Sequence, residues 1–119
     1  MSTTNLNKDN FSAAIESNDI VMVDFWASWC GPCRAFAPVY EAAAGKHEGI
    51  YFGKVDTEAE QELAASFQIR SIPTLMAFRD KVLVYSQPGA LPKAALEDLI
   101  GKIKALDMEA VHKEVAAQA

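Results

Sequence analysis

Apolar residues fall along the chain in short blocks that predict strands, separated by longer stretches with helical periodicity. Residues 20–26 form an almost continuous, β-prone apolar run, which is typical of a central strand buried on both faces. A second strand is predicted at 50–55. The blocks 74–78 and 82–87 are separated only by the short turn 79–81, so we expect them to pair as an antiparallel hairpin.

Helical patterns occupy the regions between these strands. A first helix is predicted at about 8–18 with Asn7 as its cap, and a second over 33–47. Thr57 and Glu60 have the spacing of a capping box and predict the start of a third helix. The predicted order of elements up to this point is therefore αβαβα.

The last strong helical pattern starts near Pro92. Its apolar residues form one stripe: Leu96, Leu99, Ile100 and Ile103. The apolar residues of the tail lie about 100° around a continued helix from that stripe; they are Met108, Val111 and Val115. The helix is therefore predicted to break or bend near Asp107. Residues 107–119 are expected to form a short extra helix that packs elsewhere or meets a partner, and a frayed tail is the alternative.

Strand–helix–strand crossovers followed by a hairpin and a closing helix predict an α/β fold with a mixed sheet and helices on both faces. The chain has 119 residues, half of them apolar, so one domain with a substantial core is expected. We assign that domain to residues 1–106 and treat residues 107–119 as a C-terminal helical extension of it.

Charge and the lengths of apolar runs argue against several classes of partner. Eleven basic and sixteen acidic residues give a net charge of −5, which repels polyanions, so we expect no nucleic-acid partner. No apolar run approaches the ~20 residues that span a bilayer, so no membrane partner is expected. Residues 1–7 are polar and lack the features of a signal peptide, which predicts a cytoplasmic location.

The candidate chemistry lies in two cysteines, Cys30 and Cys33, at the junction between a predicted strand and the following helix. The unsatisfied N–H groups and positive dipole end of a helix favour a thiolate, which is the nucleophilic form of cysteine. Cys33 lies one turn later and faces back, so Cys30 could attack a substrate disulfide and Cys33 could then resolve the mixed disulfide. Between them, Gly31 is expected to give the turn freedom and Pro32 to fix its shape.

Three other interpretations of the pair stay open at this point. A zinc site needs four ligands in most cases, and only His47 and His112 are available in addition, at unfavourable spacings. A structural disulfide across so short a loop would stabilise the fold by only ~2 kcal/mol. The two thiols could also be inert and buried, although their position on a turn beside Trp29 argues against burial.

Asp24 is a carboxylate within the apolar strand 20–26. Loss of hydration there favours the neutral carboxyl, so the pKa of Asp24 is expected to lie well above its ordinary value. Such a group carries protons near pH 7. The alternative is an aspartate that the core merely tolerates.

Residues 23–33 read Val-Asp-Phe-Trp-Ala-Ser-Trp-Cys-Gly-Pro-Cys. This segment matches the signature of the thioredoxin family nearly throughout, so the chain resembles that family. The resemblance covers roughly residues 5–106 and includes four further segments: 37–38, 54–56, 72–74 and 89–91. It implies the thioredoxin fold and the activity of a protein-disulfide reductase that works by reversible dithiol–disulfide exchange through a Cys30–Cys33 redox disulfide.

The resemblance also implies roles for residues around the cysteines. Asp24 would take the proton of Cys33, with Lys54 on the neighbouring strand tuning it, unless Lys54 is a solvated lysine at a strand edge. Pro73 matches the cis-proline of the family. An apolar docking groove for an extended substrate segment is expected from Trp29, Ile72, Pro73, Thr74, Gly89 and Ala90.

Two absences bear on the predicted function. No histidine lies between the cysteines, which favours a reducing role over that of an oxidase or isomerase. The chain has no glycine-rich nucleotide fingerprint, so a separate reductase is expected to supply electrons, without a cofactor bound to this chain. The expected partners are proteins that contain disulfides. A binding or chaperone module that uses the apolar groove without redox turnover is the alternative.

The segment 79–81 lacks the glycine that is common in the family at this turn. One of its residues is therefore expected to adopt a positive φ.

Overall fold

The computed structural model describes residues 3–118. These residues form five strands and five helices. In chain order the elements are β1 (Thr4–Asn5), α1 (Phe11–Ser17), β2 (Ile20–Trp26), α2 (Gly31–Lys46), β3 (Tyr51–Asp56), α3 (Gln61–Ser66), β4 (Thr74–Arg79), β5 (Val82–Pro88), α4 (Lys93–Lys104) and α5 (Met108–Gln118).

The strands form one mixed sheet in the order β1-β3-β2-β4-β5. β2 lies at its centre, parallel to β3 and antiparallel to β4, and its five inner residues are buried. Burial on both faces explains why residues 20–26 are almost continuously apolar instead of alternating. The predicted mixed α/β sheet is confirmed.

Each face of the sheet has its own core. Met22 points to the face covered by α2 and α4, where it packs with Phe36 and Leu96. Val21 and Phe25 point to the opposite face, which is covered by α1 and α3. Side chains alternate along a strand, so Asp24 shares the face of Met22 and points towards α2.

One strand was missed, and one local prediction was wrong. The strand β1 was not predicted, because a pair of exposed residues carries no periodicity. The capping box does not form: the Thr57 hydroxyl donates to the Trp26 carbonyl at 3.0 Å, and α3 begins only at Gln61 without a side-chain cap. The Thr57 side chain therefore ties β2 to the loop after β3.

The hairpin between β4 and β5 forms as predicted, but its turn contains two residues with positive φ instead of one. Asp80 has φ 51° and Lys81 has φ 69°. Both central residues of a type I′ turn adopt positive φ, because that turn matches the twist of the flanking strands.

A separate helix, α5, follows a break between Lys104 and Met108. The Arg79 Nη1 atom donates to the carbonyls of Ile103, Lys104 and Leu106 at 2.8, 3.0 and 2.9 Å, which fastens this break to the end of β4. Met108 is buried, whereas most later residues of α5 are exposed. The boundary at 106/107 and a partner for α5 remain proposals, and Ala119 lies outside the described residues.

Within residues 3–118, each helix is too short or too polar to cross a bilayer.

Candidate active site

The two cysteines lie where the chain leaves β2 and enters α2. Cys30 is the N-cap residue of α2, and Cys33 lies in its first turn. The backbone N–H of Cys33 donates to Cys30 Sγ at an N–S distance of 3.1 Å. The two sulfur atoms are bonded to each other, and the Cα atoms are 5.2 Å apart. One otherwise unsatisfied amide of the helix terminus is thus directed at the sulfur of the predicted nucleophile.

Both cysteines are buried, contrary to the expectation from their turn position. Cys30 is only 5% exposed and Cys33 only 3%, because they pack with Ala27 and with the half-buried Ile72. The indole of Trp29, by contrast, is exposed over 65% of its surface. The disulfide is therefore nearly covered, and the residue just before it in the chain is an exposed aromatic.

The dipeptide between the cysteines is part of the helix. Gly31 and Pro32 occupy its first two positions and are exposed. Pro32 fits there as predicted, because its fixed φ and missing N–H suit the first turn. Gly31 has no positive φ, and a Cβ atom in its place would meet only the Arg34 side chain, at 4.0 Å. The expectation that the turn needs the freedom of Gly31 was therefore wrong.

Asp24 lies in the buried centre of β2 and is 1% exposed. Neither of its carboxylate oxygens has a hydrogen-bond partner among residues 3–118. Burial raises the pKa of Asp24 from 3.8 to about 7; the positive charge of Lys54 acts in the opposite direction, and the negative charge of Glu41 adds to the increase. The predicted rise in this pKa is confirmed, so the carboxyl exchanges protons near neutral pH.

Lys54 is the direct register partner of Asp24 on β3. Its ammonium nitrogen lies 4.7 Å from the centre of the Trp26 ring and 4.0 Å from Glu41 Oε2. β3 is an inner strand and most of the Lys54 side chain is buried, so the alternative of a solvated lysine at a strand edge was wrong. Trp26 therefore supports this lysine through a cation–π contact.

The segment before β4 lies against the disulfide. The Ile72–Pro73 peptide bond is cis, as the resemblance implied. The Ile72 carbonyl oxygen lies 3.7 Å from Cys30 Sγ. The Gly89 N–H donates to the Pro73 carbonyl at 2.8 Å, which joins the segment after β5 to the segment before β4. Residues 72–74 and 89–90 are here called the rim of the disulfide site.

The residues expected to line a docking groove differ in accessibility. Gly89 and Ala90 are exposed, and Ile72 is half-buried. Pro73 and Thr74 are buried, and the Thr74 hydroxyl donates to the Ser71 carbonyl at 2.5 Å. The Thr74 side chain therefore supports the rim, and a contact of Thr74 with substrate stays a prediction.

The histidines of the zinc interpretation lie elsewhere. His47 follows the last residue of α2, and its Nε2 atom lies 2.8 Å from Glu97 Oε1. A helix of this length separates His47 from Cys30 by roughly 24 Å. His112 lies on α5, and no group of three or more potential ligands is arranged for a metal within residues 3–118.

Sequence reasoning missed Glu41, the acidic group of α2 nearest to this site. Its carboxylate accepts a hydrogen bond from the Thr3 hydroxyl at 2.6 Å and contacts Lys54. No local pattern marks this residue, because its proximity to Asp24 arises from the packing of α2 on the sheet.

Comparison with known proteins agrees with this geometry. The sequence model of the thioredoxin family, described as "Thioredoxin", matches residues 2–102. A Streptomyces coelicolor protein named "Putative thioredoxin 2" is 56% identical over 117 residues, covering 98% of this chain and 87% of that protein. A thioredoxin from Porphyra purpurea is 42% identical over 104 residues, covering 86% of this chain and 97% of that protein.

Solved structures show the same similarity. A mutant thioredoxin from Halobacterium salinarum superposes with a TM-score of 0.82 at 32% identity, over 88% of this chain and 93% of that chain. The thioredoxin of Plasmodium falciparum superposes with a TM-score of 0.78 at 34% identity, over 84% and 98% of the two chains. With its cysteine pair at the helix terminus, the chain belongs to the thioredoxin family of dithiol–disulfide oxidoreductases.

Proposed function

We propose that Cys30 is the nucleophile and Cys33 the resolving thiol in the reduction of protein disulfides. The observation that carries this assignment is the Cys33 N–H that donates to Cys30 Sγ at the N-terminus of α2. This donor and the helix dipole favour the thiolate of Cys30, which raises its reactive fraction at neutral pH.

The reaction has two exchange steps. The Cys30 thiolate attacks one sulfur of a substrate disulfide, so a mixed disulfide forms and the other substrate sulfur leaves as a thiolate. Cys33 then loses its proton and attacks Cys30 Sγ, which closes the Cys30–Cys33 disulfide and releases the second substrate thiolate. The substrate gains two electrons and the enzyme loses two.

Asp24 is the proposed acceptor of the Cys33 proton. Its pKa of about 7 means that a large fraction is ionised, and able to accept a proton, at neutral pH. It lies on β2 and faces α2, the helix that carries Cys33. The two groups are not hydrogen-bonded, so a water molecule is the proposed carrier between them.

The proposed docking surface lies around the nearly buried disulfide. Trp29, Ile72, Gly89 and Ala90 form its accessible part, and Pro73 supports it from below. An extended segment on either side of a substrate disulfide would pack on the indole and bond to backbone groups of the rim.

The same chemistry supports proposals for the electron donor and the cell compartment. A separate thioredoxin reductase is the proposed donor, and proteins with accessible disulfides are the proposed clients. A cytoplasmic location is also proposed, because that compartment keeps such a pair reduced. Fractionation of cells that produce a tagged chain, followed by immunoblotting of each fraction, tests the location.

Single serine variants test the proposed roles. Insulin reduction by dithiothreitol is followed with each variant, and adducts with a peptide disulfide are detected by mass spectrometry. We expect both variants to fall to the uncatalysed rate, with Cys33→Ser alone accumulating a peptide bound at Cys30. If instead Cys30→Ser accumulated a peptide bound at Cys33, the roles of nucleophile and resolving thiol would be reversed. Function that survives both substitutions would favour the redox-independent binding module.

A further inference from the structure

The charged groups next to Asp24 are not paired as their positions in the sheet suggest. Lys54 is the register partner of Asp24, yet among the described residues its ion pair within 4.0 Å is with Glu41 Oε2. The same ammonium lies over the Trp26 ring, and both carboxylate oxygens of Asp24 remain without a partner in the described part of the chain. Lys54 is thus held by groups other than its neighbour on β2.

Glu41 is itself fixed in place. Its Oε2 atom accepts the Thr3 hydroxyl at 2.6 Å, so the segment before β1 anchors the carboxylate. The Glu41 side chain is 42% exposed, whereas most of the Lys54 side chain is buried. The ammonium therefore lies between an anchored carboxylate and an aromatic face.

The other groups near Asp24 do not compensate its charge. Tyr40 on α2 is fully buried, and its hydroxyl donates to the Gly53 carbonyl at 2.8 Å. Burial raises the pKa of Tyr40 well above its usual range, and the charges of Asp24 and Glu41 add to this, so its phenol stays neutral. On β4 the register partner of Asp24 is the uncharged Leu75. Lys54 is therefore the cation whose position matters to Asp24.

We propose that Glu41 is a positioning residue for the redox reaction: it holds the Lys54 ammonium over Trp26 and so prevents a direct ion pair between Lys54 and Asp24. A direct pair would stabilise the carboxylate and weaken its hold on a proton. Glu41 thereby keeps Asp24 able to exchange the Cys33 proton near neutral pH. This inference rests on the proposed role of Asp24.

The test is a titration of Asp24 in the oxidised protein, in which the cysteines do not titrate. The carboxyl ¹³C shift of Asp24, assigned with Asp24→Asn, is followed against pH in wild type, Glu41→Gln, Lys54→Met and the double variant. Gln keeps the shape of Glu41 and its acceptor for Thr3. Glu109→Gln, at the exposed start of α5, is the matched control for the loss of one negative charge.

We expect Glu41→Gln to lower the Asp24 midpoint by about 0.2 to 0.7 pH unit, the range for a partly exposed ion pair. Glu109→Gln should leave the midpoint unchanged. In the Lys54→Met background the effect of Glu41→Gln should shrink to the direct influence of the Glu41 charge on Asp24, because the residue that Glu41 positions is absent. An undiminished effect there, or no effect of Glu41→Gln in the wild-type background, would overturn the positioning role.

A second measurement separates this inference from the proposed function. The rate at which the mixed disulfide is resolved is measured against pH for wild type, Glu41→Gln and Asp24→Asn. We expect the Glu41→Gln profile to follow the shift seen by titration, and Asp24→Asn to lose the inflection. If Asp24→Asn keeps the wild-type profile, Asp24 is not the proton acceptor, whatever the titration shows about Glu41.

Discussion

The backbone N–H of Cys33 donates a hydrogen bond to Cys30 Sγ, with 3.1 Å between nitrogen and sulfur. Under the proposed roles, one residue would contribute to both exchange steps: its backbone would stabilise the first thiolate, and its side chain would supply the second. A serine in place of Cys33 removes the second contribution and leaves the first. The two steps can accordingly be studied separately in this chain.

Asp24→Asn should stabilise the oxidised protein at neutral and alkaline pH. The pKa of Asp24 is raised in the fold, so the folded state binds more protons than the unfolded state between pH ~4 and about 7, and stability contributed by the neutral carboxyl is lost as pH rises through that window. The gain from the variant should approach about 4 kcal/mol at most above pH 7. Urea unfolding at pH 4 and pH 8 measures it.

At pH 4 the difference between Asp24→Asn and wild type should nearly vanish, because Asp24 is then neutral in the fold. Asp98→Asn, at an exposed position of α4, is the matched control and should show no such pH dependence. Equal stabilisation at both pH values would mean that charge burial is not the cause.

The elements themselves were largely predictable, because the run 20–26 and the periodic helices encode burial directly. The raised pKa of Asp24 was predictable for the same reason, since a lone carboxylate in an apolar run has little hydration. The place of Glu41 was not, because it depends on how α2 packs on the sheet. Burial of Cys30 was not predictable either, because it depends on a contact with Ile72, which is distant in the sequence.

Trp29→Ala should weaken reduction of protein substrates more than reduction of small ones. The exposed indole offers a large apolar surface beside the disulfide but does not take part in the exchange. We expect kcat/KM for insulin to fall about 5- to 30-fold, mainly through KM, as for loss of an aromatic contact of about 1 to 2 kcal/mol. Steady-state kinetics with insulin and with a small aromatic disulfide measure the difference.

Leu83→Ala is the control for this prediction, because Leu83 is also an exposed large apolar residue but lies on β5 near the far hairpin turn. It should leave both substrates unaffected. An equal loss for insulin and the small disulfide in Trp29→Ala would argue against a docking role.

Lys81→Gly should stabilise the fold by about 0.5 to 1 kcal/mol. Lys81 has φ 69°, a conformation that costs a side chain with a Cβ atom more than it costs glycine. Thermal and urea unfolding measure the change. Lys102→Gly, the same substitution inside α4, should instead destabilise by about 1 kcal/mol. Destabilisation by both would show that the turn is not strained at Lys81.

Arg79→Met should loosen the junction between α4 and α5. It removes one charged donor shared by three carbonyls, so we expect a loss of about 1.5 to 3 kcal/mol and faster amide exchange in α5. Arg70→Met, at an exposed site, should have little effect. Unchanged exchange in α5 would mean that Arg79 does not hold the junction.

The three hydrogen bonds from Arg79 to the junction between α4 and α5 also indicate where the protein can be attached to a surface. Arg79 pairs with Ile20 at one end of the central strands, whereas Thr74, next to the redox rim, pairs with Phe25 near the other end. The start of α5 is thus held at the end of the central strands that is remote from the disulfide. A linker to an electrode or bead, joined through an exposed α5 side chain such as Lys113, would start from the side of the molecule that substrates do not need to reach.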